Sequence, residues 1–114
     1  MPHCIVEYAE PLEEIIDPSE LVALIHHGAA GTELFDPRQL KTRAVAYRNY
    51  INGCGSELFV TVTFRMLSGR TGAQKKQLTD RVLAALESID SNSIVMTVEV
   101  RDMDREAYSK TIRA

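Results

Sequence analysis

The sequence predicts an α+β fold: two consecutive βαβ units whose four strands share one sheet, with both helices on one face. Three observations predict it. Cys4, Val6 and Tyr8 alternate with His3, Ile5 and Glu7, and Leu58, Val60, Val62, Phe64 and Met66 alternate with Phe59, Thr61, Thr63 and Arg65, the period of strands with one apolar face. Leu21, Leu24 and Ile25, and later Leu78, Val82, Ala85, Leu86 and Ile89, recur at helical spacing. The order strand, helix, strand over residues 2–50 repeats over 57–101, across the turn-forming Asn52-Gly53-Cys54-Gly55. A ferredoxin-like βαββαβ module shares this element order and is the alternative.

The first strand covers residues 2–8, with Pro2 on the face of Cys4, Val6 and Tyr8. Asp17-Pro18-Ser19-Glu20 starts a helix, with Asp17 as cap, Pro18 in the first position and Glu20 completing a box-like arrangement. That helix ends near Gly28 to Gly31, with His26 and His27 in its last turn, where the helix dipole favours positive charge. Adjacent helix residues diverge by about 100°, so the two imidazoles do not share a metal ion. After a turn at Pro37, a second strand spans Thr42 to Tyr50 and a third Glu57 to Met66. Ser68-Gly69 turns the chain into the capping box Thr71-Gly72-Ala73-Gln74 and the second helix. A last strand, Ile94 to Arg101, is followed by a polar arm, 102–114, whose only large hydrophobes are Tyr108 and Ile112.

With 114 residues, 45% hydrophobic and 25% charged, the chain makes one globular domain, 1–114. A net charge of −3 and the lack of a dense Lys/Arg run argue against nucleic acid, and no apolar run is long enough to span a bilayer. Cys4 and Cys54 lack metal-site spacing and read as reduced, non-catalytic thiols of a cytoplasmic protein. Helices on one face leave the other face of the sheet, with its Val, Phe and Thr, uncovered, which predicts self-association.

Pro2 directly follows the initiator methionine. If Met1 is removed, Pro2 becomes a secondary amine able to accept and return a proton; equally, proline is tolerated at the first position of a strand. Arg70 sits where the third strand meets the second helix, a place suited to an anion, or is a solvated residue beside the capping box. Lys41 and Arg43 alternate on the second strand, as a cationic station or as an exposed strand face.

Ser68-Gly69-Arg70-Thr71 followed by Gln74-Lys75-Lys76 resembles the strand-to-helix junction of the 4-oxalocrotonate tautomerase branch of the tautomerase superfamily. Pro2-His3-x-Ile5-Val6-Glu7 resembles the amino terminus of the 5-carboxymethyl-2-hydroxymuconate isomerase family within it. The resemblance covers essentially the whole chain. It implies a tautomerase-like fold, a homotrimer with sites between subunits, and an isomerase of unsaturated 2-hydroxy/2-oxo carboxylic acids that needs no cofactor. In that reading Pro2 is the general base, and Arg70, Arg43 and Lys41 hold a small anionic carboxylate substrate. Tyr47, on the face of Arg43, donates a hydrogen bond or walls the pocket, and Tyr108 aligns with a pocket-lining aromatic. Some family members carry arginine where this chain has Lys41, and lysine binds carboxylate as a point charge rather than a fork. Other activities on this fold, decarboxylation or dehalogenation of small acids, need a residue to activate water, and only Glu7, on the face opposite Pro2, offers itself. A trimeric binding protein without activity is the third possibility.

Overall fold

The computed structural model describes residues 1–114. Strands β1 (His3–Ala9), β2 (Lys41–Tyr47), β3 (Leu58–Leu67) and β4 (Ile94–Met103) and helices α1 (Pro18–Ala30) and α2 (Gly72–Leu86) follow the expected order. The sheet runs β2-β1-β3-β4, with β1 parallel to β2, β3 parallel to β4, and the central pair β1 and β3 antiparallel. Each βαβ unit therefore keeps its two strands adjacent. A ferredoxin-like module splits them, so that alternative is excluded.

Both helices pack on the face that carries Cys4, Val6, Val60, Val62 and Phe64, and Leu21, Ile25, Leu78, Val82 and Leu86 complete the core. The helices approach closely at Gly28, where an added Cβ would lie 3.3 Å from that of Ala85. The reciprocal bonds of the α2 capping box are made, Gln74 N–H to Thr71 Oγ1 at 3.1 Å and Thr71 N–H to Gln74 Oε1 at 2.9 Å. At α1 the Asp17 carboxylate accepts from the Ser19 N–H and hydroxyl, so Ser19 completes the cap and not the Glu20 side chain.

Boundaries differ from expectation where a pairing partner ends. β2 stops at Tyr47 instead of Tyr50 because its partner β1 stops at Ala9; Tyr50 turns away and donates to the Glu57 carbonyl. β4 runs on to Met103, paired with Leu67 and buried, so the arm starts later than residue 102. The turn expected at Pro37 is a 3-10 turn, Pro37–Gln39, whereas those at Glu10–Glu14 and Arg105–Ala107 have no expected counterpart. The Glu10–Glu14 turn drops Leu12, fully buried, into the core. The opposite sheet face is open: His3, Ile5 and Glu7, Arg43, Val45 and Tyr47, and Phe59, Thr61 and Thr63 lie on it, Val45 being 49% exposed.

Candidate active site

Pro2 is fully buried at the start of β1, and its carbonyl accepts from the Lys41 N–H at 3.1 Å, which pins the amino terminus to β2. Beside it lies a cleft of about 190 Å³ lined by Met66 and Leu67 of β3, by Arg70 and Arg105, and by Met1 and Gln39. Met1 donates its amine to the Gln39 carbonyl at 3.1 Å. Pro2 and Arg70, 68 positions apart in sequence, thus share one cleft because the antiparallel β1–β3 pair sets the start of one strand beside the end of the other.

Gly69, at φ +130°, makes the turn that brings Arg70 there. The Arg70 guanidinium donates to the Leu34 carbonyl from Nε at 3.3 Å and Nη2 at 2.9 Å and lies over the Phe35 ring, 6.0 Å from its centroid. Three of its five N–H donors remain for a ligand. Arg105 is the residue that sequence reasoning missed. It lies in what reads as a polar arm, and no local spacing ties it to Arg70. The β4 extension and the turn after it bring its Nε to the Ser68 carbonyl at 2.8 Å.

The electrostatics at the chain start suit a neutral amine. Desolvation first, then Lys41 and Lys110, lower the terminal ammonium pKa to about 5. Lys110 is a second residue that sequence reasoning did not single out.

Of the remaining expected site residues, Lys41 stays beside Pro2 and the others lie elsewhere within the chain. Lys41 neighbours the terminal amine and donates from Nζ to the Gln39 carbonyl at 3.3 Å. Arg43 and Tyr47 are on the open face, away from Pro2: Arg43 bonds the His3 ring at 3.3 Å, and the Tyr47 hydroxyl donates to Glu7. Tyr108 also meets His3, at Nε2. A guanidinium can only donate, so His3 Nδ1 accepts from Arg43 and Nε2–H donates to Tyr108. Desolvation and the cations Arg43, Lys41 and Arg65 lower the His3 pKa, which matches a neutral ring.

Burial pushes the Cys4 thiol up to about 12, which makes it unreactive, and no group of three His, Cys, Asp or Glu side chains could hold a metal ion. His26 bonds Thr42 of β2 at 2.8 Å, a structural tie between α1 and the sheet. No helix is long and apolar enough to cross a membrane.

The family model of 5-carboxymethyl-2-hydroxymuconate isomerase matches residues 2–112. The chain belongs to this family. No curated protein sequence matches it. Among solved structures it resembles a 5-carboxymethyl-2-hydroxymuconate isomerase from Deinococcus radiodurans R1, with TM-score 0.82 and 21% identity over 98% of this chain and 90% of that one. A 5-carboxymethyl-2-hydroxymuconate delta-isomerase gives 0.77 at 15% identity, covering 99% and 89%. A fused 4-OT solved as a symmetric trimer gives 0.65 at 14%, covering 90% and 86%. The chain is an isomerase of this family, and these structures share its fold of a mixed four-stranded sheet and two helices.

Proposed function

We propose that this isomerase is a cofactor-independent tautomerase of unsaturated 2-hydroxy/2-oxo carboxylic acids, of the 5-carboxymethyl-2-hydroxymuconate type, with the amine of Pro2 as general base once Met1 is removed. The observation that carries the reading is the shared cleft of Pro2 and Arg70. Met1 holds the Pro2 nitrogen in an amide and lines the cleft; removing it turns that nitrogen into an amine at the cleft wall. The new amine would be buried and next to Lys41, and both burial and a neighbouring cation disfavour the charged form of an amine.

The reaction then needs little machinery. The Pro2 nitrogen takes the proton of the substrate's 2-hydroxyl, the electron pair moves along the conjugated system, and the prolinium returns the proton to a carbon further along. Substrate and product are isomers, so nothing else is consumed. Arg70 holds a carboxylate next to the oxygen on which charge develops, fixed by its tether to Leu34, so it does not have to reorganise as charge moves. Met66 and Leu67 keep the wall of the cleft apolar, which strengthens that attraction.

The open sheet face and the exposed Val45, Tyr47 and Ile51 support a homotrimer, as does the likeness to a symmetric trimer. In such an assembly Arg43 and Tyr47 of one copy would serve a cleft of another. Two free thiols, one buried and one exposed, suit the cytoplasm. Decarboxylation and dehalogenation are disfavoured: Glu7, the candidate to activate water, lies on the open face and is engaged by Tyr47. The test is an ultraviolet assay of the methionine-free protein with enol dicarboxylates. Turnover that vanishes when Met1 is retained supports the reading; equal turnover in both forms overturns it.

A further inference from the structure

We propose that Arg105 is a substrate-binding residue that holds the second carboxylate of a dicarboxylate in the cleft whose first carboxylate is held by Arg70. The proposal rests on the function proposed above and deepens it by naming what selects a dianion over a monoanion.

Arg105 lines the same cleft as Pro2 and Arg70. Its Nε is bound to the Ser68 carbonyl at 2.8 Å, which orders an otherwise exposed side chain and leaves four N–H donors on the outer nitrogens. Arg70 is bound through the same edge to a different carbonyl, that of Leu34. Because the two forks are tethered to separate loops, they present two fixed anion stations rather than one mobile pair. Neither arginine has a carboxylate partner, although the chain carries 16 acidic against 13 basic residues and other cations of the chain, Lys75 and Arg101 among them, are paired. The nearby Asp102 is taken by Lys75 at 3.2 Å, and Asp104 is turned to the Glu106 N–H. Two unneutralised guanidinium groups side by side in one small cleft repel each other, and a dianion removes that repulsion. Gly69 makes room: a Cβ there would lie 3.2 Å from Arg105 Nη2.

The test uses the full-length, methionine-free protein and its Arg105→Gln and Arg105→Lys variants. Calorimetry with adipate, a dicarboxylate that cannot react, and with hexanoate, the matching monocarboxylate, reads binding without turnover. Arg105→Gln is expected to weaken adipate roughly tenfold and leave hexanoate within about twofold, with Arg105→Lys between. In the enol dicarboxylate assay KM should rise by a similar factor while kcat is kept. Equal losses for both ligands, or a loss of adipate in Lys41→Gln and not in Arg105→Gln, would overturn the assignment. If adipate binding depends on Arg105 but no enol acid turns over, the isomerase substrate is wrong and the carboxylate station stands. If turnover is normal with KM unchanged in Arg105→Gln, the reverse holds.

Discussion

His3 and Tyr108 lie 105 positions apart and meet at 3.2 Å, imidazole Nε2 to phenol oxygen, with the rings edge to face. This contact, with Arg43 on the other ring nitrogen, fixes the end of the chain to β1 on the open face. Tyr108→Phe removes the acceptor and should release the segment after Met103. Faster amide exchange from residue 105 onward, with the exchange of β1 and β3 unchanged, is the expected result.

Acid should break the other bond of the same ring, because a proton on Nδ1 removes the acceptor for Arg43. The His3 pKa is lowered in the folded chain, so the unfolded chain takes up its proton first as pH falls. Stability is therefore unaffected above the ordinary histidine range and declines as pH drops through about 6.5. In the chain that keeps Met1, its terminal amine, lowered to about 5, acts in the same direction from about 8 downward. In that chain Tm should fall between pH 8 and 5, and His3→Gln should flatten only the lower part of that fall.

Gly69 serves the turn and the cleft at once. At φ +130° a side chain is strained, and a Cβ would crowd Arg105 at 3.2 Å. Gly69→Ala should cost about 1–3 kcal/mol in denaturant unfolding. It should also raise KM for a dicarboxylate, since Arg105 must shift.

The sheet was legible because its information is local. Alternation in β3 and the Thr71–Gln74 capping box specify element, face and start without reference to distant residues. Element ends were less so: β2 stops where β1 stops, which is a property of the pair and not of Arg48 to Tyr50. Part of the candidate cleft was legible for the same reason. Pro2 and Arg70 each carry a local signature, whereas Arg105 enters the cleft through the length of β4 and a turn that the polar composition of 102–114 conceals. Arg43 and Tyr47 had the right strand, but alternation puts them on the face opposite Pro2, and one chain cannot bring both faces to one ligand.

The role proposed for Arg70 has two parts that substitution can separate. Arg70→Lys keeps a charge but loses the two-point hold on Leu34, while Arg70→Ala loses both. Arg70→Ala should raise KM by roughly tenfold or more, and lower kcat as well if, as proposed, the same cation stabilises the developing oxyanion. Arg70→Lys should recover more of KM than of kcat, since a point charge still attracts carboxylate but no longer sits in a fixed place. Steady-state kinetics with an enol dicarboxylate checks both.

The most decisive measurement concerns the amine itself. A variant that retains Met1, verified by mass, keeps every side chain of the cleft and turns the Pro2 nitrogen into an amide. General-base assistance is worth ~10²- to 10⁴-fold, so kcat/KM should fall by at least about that much while the fold and assembly persist. Pro2→Ala, processed to a free primary amine, should keep partial activity, because a proton acceptor remains at the same place with altered geometry and basicity. The pH profile separates these cases. In the active protein the base must be unprotonated, so kcat/KM should rise with pH through the amine pKa and then level, and burial of Pro2 beside Lys41 should pull that midpoint down. Lys41→Gln removes that cation and should move the midpoint up. A midpoint that stays put in both Lys41→Gln and Pro2→Ala would assign the titration to some other group and remove Pro2 from the mechanism.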